Sequence, residues 1–226
     1  MVLKHKPLAI VLFAIAGVAT PLAGFEFHSV QLTLAETWIG NGYQTTEGGD
    51  PVQGSDVSPL RFTIGGATRV GFGKWLQFRP GLAVLWQEYL LTDSGKVVPT
   101  QIETGTSVGP LAGTLVTVLR LPWVYEHSFS NELVLGGGAG MSFPLHWPVS
   151  PIEGSDVSGL WDYFYGSLRF VSPELQGYLS YPIGEQTSFG VDLHWLLPWH
   201  NLWDGFEVPF WDSMQVSLGL SLHYRL

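Results

Sequence analysis

The 226-residue sequence contains no cysteine. That excludes disulfide staples, zinc thiolate sites and a lipid-modified cysteine behind a leader. Charge is also scarce: 13% of residues are charged, and ten bases stand against nineteen acids. A nucleic-acid partner is therefore excluded, because phosphate binding needs a basic face. Long hydrophobic runs are missing too. The mature part has no stretch of the roughly 18 apolar residues that a spanning helix needs.

Residues 1–24 have the order of a secretory signal peptide. Lys4, His5 and Lys6 form a basic start, Leu8 to Val18 is an unbroken run of apolar and small residues, and Ala19 to Gly24 adds small residues and a proline. The apolar run is too short to cross a bilayer. Removing this segment takes away two of the ten bases and none of the nineteen acids, so residues 25–226 carry eight bases, nineteen acids and a net charge of −11.

What is abundant is aromatic and small: ten Trp, eight Tyr and thirteen Phe beside 28 Gly, with positive mean hydropathy. Only helices and closed barrels satisfy every backbone N–H and C=O in hydrocarbon, and without a helix the barrel remains.

Alternation supports it, since lipid-facing and lumen-facing side chains of a barrel strand switch at every residue. In 60–73, Leu60, Phe62, Ile64, Val70 and Phe72 oppose Arg61, Thr63, Gly65, Ala67 and Arg69. After a tight turn at 73–75, Leu76, Phe78, Leu82, Val84 and Trp86 oppose Gln77, Arg79, Gly81, Ala83 and Gln87. Further strands are expected at 26–38, 107–121, 132–143, 163–182, 187–197 and 213–226. A change of phase at 170–173 predicts a bulge, where proline is tolerated. The fold class is thus all-β, an eight-stranded antiparallel transmembrane up-and-down barrel over 25–226. Connections alternate between long and short, as short periplasmic turns and long external loops require.

A soluble sandwich or lipocalin-like barrel also alternates, but its exposed face carries Lys, Glu and Thr. Here the minority face holds Gly, Ser, Thr and Gln, which suits a narrow polar interior. Aromatics fall at strand ends. Trp75, Trp123, Tyr125, Tyr181 and Tyr224 form one girdle, and Trp38, Trp86, Trp147, Trp161, Trp195 and Trp199 the other. The pentapeptide Gly-Ser-Asp-Val-Ser at 54–58 and 154–158 leaves a four-plus-four duplication open.

Three groups of residues are candidates for function. The first is a lumen charge network of Arg69, Arg79, Arg120, Glu132, Arg169, Glu174, Asp192 and Arg225. Arg69 and Arg79 are symmetric about Lys74, and Arg120 and Glu132 about Glu126, so each pair should face across a hairpin. Eight strands leave an interior only wide enough for side chains to fill, so a polar plug is preferred over an ion-selective pathway. The second is the loop set. Ten acids (Glu47, Asp50, Asp56, Asp93, Glu103, Glu153, Asp156, Asp204, Glu207 and Asp212) oppose Lys96 alone. Within it, Trp199, Trp203, Phe206, Phe210 and Trp211 give apolar area for membrane seating or a ligand mouth. The third is histidine. His127, Ser128 and Ser130 share one turn, while His194 and His200 flank the outer rim without a matching Ser, and no triad spacing can be defended. No metal or cofactor is expected.

With these features the mature chain resembles the small eight-stranded bacterial outer-membrane barrels, of the outer membrane protein W and outer membrane protein X/A types. Its last strand, Met214 to Leu226, resembles their C-terminal insertion signal, but ends in Leu226 with Tyr224 two residues earlier. The resemblance implies export to the bacterial outer membrane and a lipid bilayer as first partner. A W-like chain would pass small, rather hydrophobic molecules, sideways through the wall. A surface adhesin or structural anchor that meets host or cell-surface ligands through its loops is the alternative, and a lipid-modifying enzyme the least supported.

Overall fold

A computed structural model describes residues 26–40, 43–45, 51–53, 60–71, 75–91, 97–99, 111–151, 157–203 and 210–226. The segment 1–24, the Lys74 turn, the first pentapeptide copy and nearly all of the acidic loop set lie outside these residues.

Eight antiparallel strands form a closed ring. They are β1 (Glu26–Ile39), β2 (Arg61–Gly71), β3 in two pieces (Leu76–Phe78 and Gly81–Leu91), β4 (Leu111–Ser128), β5 (Val134–Pro151), β6 (Ser172–Pro182), β7 (Thr187–Leu196) and β8 (Gln215–Arg225). Each strand pairs with its sequence neighbour, and β1 also pairs with β8 in the register Leu32↔Leu222 and Leu34↔Leu220. Closure leaves no unpaired edge, which a spanning sheet cannot tolerate. At the seam the strands touch closely at Gly219, where an added Cβ would lie 2.6 Å from Ala35 Cβ.

The apolar parity faces out. Leu32, Leu34, Phe62, Ile64, Leu82, Leu119, Val191, Leu193, Leu218, Leu220 and Leu222 are exposed, while their neighbours Thr33, Thr63, Ala83, Val118, Asp192, Gly219 and Ser221 are buried. Trp75, Trp123, Tyr125, Tyr181 and Tyr224 ring the end with the short turns, and Trp86, Trp147, Trp161 and Trp195 ring the end with the loops. No described helix is long and apolar enough to cross a membrane.

Three boundaries differ from expectation. β3 breaks at Arg79–Pro80, because Pro80 has no N–H for the ladder; the gap is bridged by Thr68 N donating to Pro80 O and Arg79 N to Pro122 O, both at 3.0 Å. β4 and β5 run to Ser128 and Pro151, well beyond 121 and 143, and meet in a tight turn where Phe129 N donates to Leu133 O at 2.8 Å. The expected strand start at 163 is instead helical. Helix α1 (Val157–Tyr165), which includes the end of the second pentapeptide copy, buries Leu160, Tyr163 and Phe164, three residues at helical spacing. Left-handed Ser167 and Leu168 (φ 50° and 60°) then turn the chain into β6 at Ser172. The phase change at 170–173 is therefore a helix-to-strand junction, and β6 itself runs without a register shift.

A charge placed at mid-height on the outer face should be costly. Leu220→Arg is expected to lose roughly 2–4 kcal/mol of folding free energy in vesicles, and Tyr224→Arg, at the girdle, about 0–1. Urea titration of the two variants in lipid checks the gradient.

Candidate functional site

The lumen is built in storeys. Near the turn end, Arg69 Nε lies 3.1 Å from Glu126 Oε1, and Tyr178 donates its hydroxyl to the same carboxylate. Tyr178 fits there because β5 presents Gly136, whose missing Cβ would fall 2.1 Å from the tyrosine ring. The Arg79 guanidinium stacks over Tyr178, 3.9 Å from the ring centroid, donates to Gln31 and pairs with Asp192 at 3.3 Å. Beside Asp192, Ser221 and His223 Nε2 are 3.0 Å apart.

One storey higher, Glu174 is the hub. His194 Nδ1 lies 2.6 Å from one carboxylate oxygen, Ser142 donates to the other, and Arg120 Nε is 3.7 Å away. Glu174 and Asp192 are each 1% exposed, so their charges rest on these partners. Above them a hydroxyl layer joins Thr37 to Thr63 and to Ser217, both at 2.7 Å, and Arg61 Nε donates to Gln87 at 2.8 Å.

The mouth is apolar. Ile39, Ala83, Leu85, Tyr89, Val116, Val118 and Leu196 pack beneath Leu160, Tyr163 and Phe164 of α1. The His146 ring stacks on Phe164 at 3.8 Å, its Nε2 lies 3.3 Å from Tyr89 Oη, and Tyr165 donates to the His146 carbonyl at 3.0 Å. Helix α1 therefore caps the barrel. A residual cavity of about 40 Å³ beneath it, touching Tyr89, His146, Phe164 and His200, has room for only a few waters.

On the outer side of the same helix, Trp161 and Tyr165 project over Leu145 and Trp147 of β5. With Gly166 and Asp162 they line a shallow groove open to the outside. Trp147 meets Trp161 edge-on at 6.0 Å, and Trp161 stacks on Tyr165 at 5.2 Å. The groove and the mouth cavity lie back to back: His146 and Phe164 face in, and their neighbours Trp147 and Tyr165 face out.

Of the eight expected network residues, five meet inside: Arg69, Arg79, Arg120, Glu174 and Asp192. Three lie elsewhere. Glu132 is exposed in the β4–β5 turn, at φ 67°, because the two strands run past the expected turn centre. For the same reason Glu126, expected at that centre, is the inward carboxylate. Arg169 follows α1 at the mouth, donating to the Tyr163 carbonyl at 3.0 Å with its guanidinium 4.2 Å over that ring. Arg225 keeps lumen parity but stands exposed at the end of β8.

Among the expected histidines, His127 is exposed at the turn end. His194 lies inside the lumen, not at the outer rim. Its serine neighbour Ser142 bonds to the carboxylate and not to the imidazole, whereas Ser221 meets the imidazole of His223. Glu126 was findable by extending the parity of Thr114 and Arg120 through Pro122 and Val124. Ser142 and Tyr178 become visible only through cross-strand register.

Trp203, Phe210 and Trp211 are exposed at the loop end, Trp199 is half-buried and edge-on to Trp203 at 5.5 Å, and Phe206 lies outside the described residues. Asp212 is buried. No cluster able to hold a metal ion occurs among the described residues.

No protein-family model matches the sequence, and no curated protein is significantly similar to it. Among solved structures the chain is similar to Neisserial surface protein A, with a TM-score of 0.50 and 9% identity over 90% of this chain and 100% of that one. It is also similar to Ail, the attachment invasion locus protein of Yersinia pestis (TM-score 0.42, 11% identity, 88% and 98% covered), and to the outer membrane protein AlkL (0.41, 13%, 92% and 94%). The match at 0.50 shows the fold: this chain has the architecture of the small eight-stranded outer-membrane β-barrels.

Removing one partner from the Glu174 hub leaves a buried charge unpaired. Glu174→Gln is expected to cost about 3–5 kcal/mol, whereas Glu132→Gln in the turn should stay within about 0.5. Equilibrium unfolding in detergent distinguishes them. The double replacement Arg120→Met with Glu174→Leu should recover most of the loss.

Proposed function

We propose that this chain is exported by the signal peptide at 1–24 into a bacterial outer membrane, where it passively passes small hydrophobic molecules through the wall beneath α1. The observation that carries this reading is the aromatic groove between α1 and β5. It is lined by Trp147, Trp161 and Tyr165 on the outer side of the wall, back to back with the mouth cavity across α1 and β5. An axial route is opposed by the paired charges and the apolar cap. The barrel is read as non-enzymatic, since the two serines that lie beside a histidine and a carboxylate, Ser142 and Ser221, are both buried within the lumen plug.

A second reading, surface attachment, is favoured by one observation. Leu202, Trp203, Phe210 and Trp211 are exposed by 71%, 47%, 46% and 39% at the loop end. Such a patch suits a cell-surface ligand. Adhesion of expressing cells would then fall when Trp203 and Trp211 are replaced by Ala, with solute uptake unchanged.

For passage, Gly166 is the useful position: it lines the groove, and an added Cβ there meets only Arg169 Nη1, at 3.7 Å, so a side chain can be introduced. Cells displaying the wild-type barrel should take up a hydrophobic naphthylamine dye several-fold faster than cells displaying Gly166→Phe at equal levels. The purified barrel should give no steady single-channel current. Equal uptake by the two cell lines, or an ohmic ion current, would contradict the lateral route.

A further inference from the structure

Between the storeys of Arg79 and Arg120 the lumen encloses a cavity of about 20 Å³, bounded by three glycines on one side and by Gln31, Thr33, Arg79, Arg120, Gln176 and His194 on the other. Its polar groups do not balance. Several acceptors beside it are engaged: Gln31 Oε1 receives Arg79, Thr33 Oγ1 receives Gln31 Nε2 at 2.9 Å, and the two oxygens of the adjoining Glu174 are taken by His194 and Ser142, while Asp192 Oδ2 in the storey below is buried without a hydrogen bond among the described residues. Donors are in excess. Arg79 Nη1, Arg120 Nε and Gln176 Nε2 are buried without a hydrogen-bond partner among the described residues, and Arg120 Nε keeps only its 3.7 Å ion pair. All three residues are less than a tenth exposed.

A native lumen does not leave three such donors empty-handed, since each costs its full desolvation when unmade. Two of them belong to guanidiniums, so a cation is repelled. A water accepts from two of the three donors at most, whereas a monatomic anion can accept from all three at once. An occupant made of lone pairs alone, carrying negative charge, satisfies the lining. The space admits one or two water-sized bodies, which rules out carboxylates and phosphates. We propose that this cavity binds a single small monovalent anion of halide size, held by Arg79, Arg120 and Gln176. Passage of solutes through the wall does not enter the argument, and either can fail alone.

The test uses bromide and chloride on the refolded full barrel. Crystals grown in bromide should show one anomalous peak within the lumen, in hydrogen-bond range of Arg79 and Gln176. In solution, exchanging gluconate, too large to enter, for chloride at equal ionic strength should raise the unfolding midpoint of the wild type by several degrees on heat-modifiability gels. Gln176→Leu, which removes a donor, should lose that shift. Gln176→Glu, which keeps the shape and adds negative charge, should lose it as well and carries the test if the leucine variant does not refold. Ordered water without an anomalous peak would overturn the proposal. So would a bromide peak in a barrel equally stable in both salts, because that ion is forced in by concentration.

Discussion

The pairing of β1 with β8 on one side and β2 on the other is the constraint on which the molecule depends. In hydrocarbon an unpaired backbone group costs several kcal/mol, so eight strands must form a ring before any of them is stable there. Once the ring closes at eight, the interior diameter follows, and only side chains fit inside. The alternating pattern then divides labour strictly. Outward residues meet lipid, and inward residues have to satisfy one another.

That second requirement explains the character of the lumen. Three arginines, Arg69, Arg79 and Arg120, face three carboxylates, Glu126, Asp192 and Glu174, and each pair shares further donors or a ring: Tyr178 with the first two, Ser142 and His194 with the third. Desolvating such charges is expensive, and geometry repays it only when the remaining lone pairs and protons also find partners. The pairs do not meet this condition in full: Arg79 Nη1, Arg120 Nε and Asp192 Oδ2 are buried without a hydrogen bond among the described residues. Arg79 and Arg120 line one enclosed space together with Gln176, whose Nε2 is likewise unpaired. A lumen filled in this way resists opening along its axis, since any open path would separate charges without water to receive them.

Strands, their facing and the girdles were legible because period-two alternation is imposed by the bilayer at every position, with no tertiary context needed. The parts that were not legible depend on context. The strand expected at 107–121 continues through Pro122, whose carbonyl accepts from Arg79 N opposite the break in β3, and β4 thereby carries Glu126 into the lumen and pushes Glu132 out. Around α1, Leu160, Tyr163 and Phe164 show helical spacing, but a nine-residue helix is too short to stand out from aromatic alternation on either side. The hub of Glu174 depends on which residue lies across from which. Glu174 and Ser142 sit on different strands and meet through β5–β6 register, where Gly140 is the direct partner of Glu174.

The same short helix links interior and exterior. Its inward residues complete the apolar cap, while Trp161 and Tyr165, in the same turns, build the groove outside with Leu145 and Trp147. Residues adjacent in sequence must project to opposite sides of the wall, so a movement that withdraws Phe164 from His146 also moves Tyr165 against the groove. Cap and groove cannot change independently. The boundary between α1 and β5 carries this coupling. It is held by aromatic contacts and one hydroxyl-to-carbonyl bond, with no ion pair to break among the contacts described there.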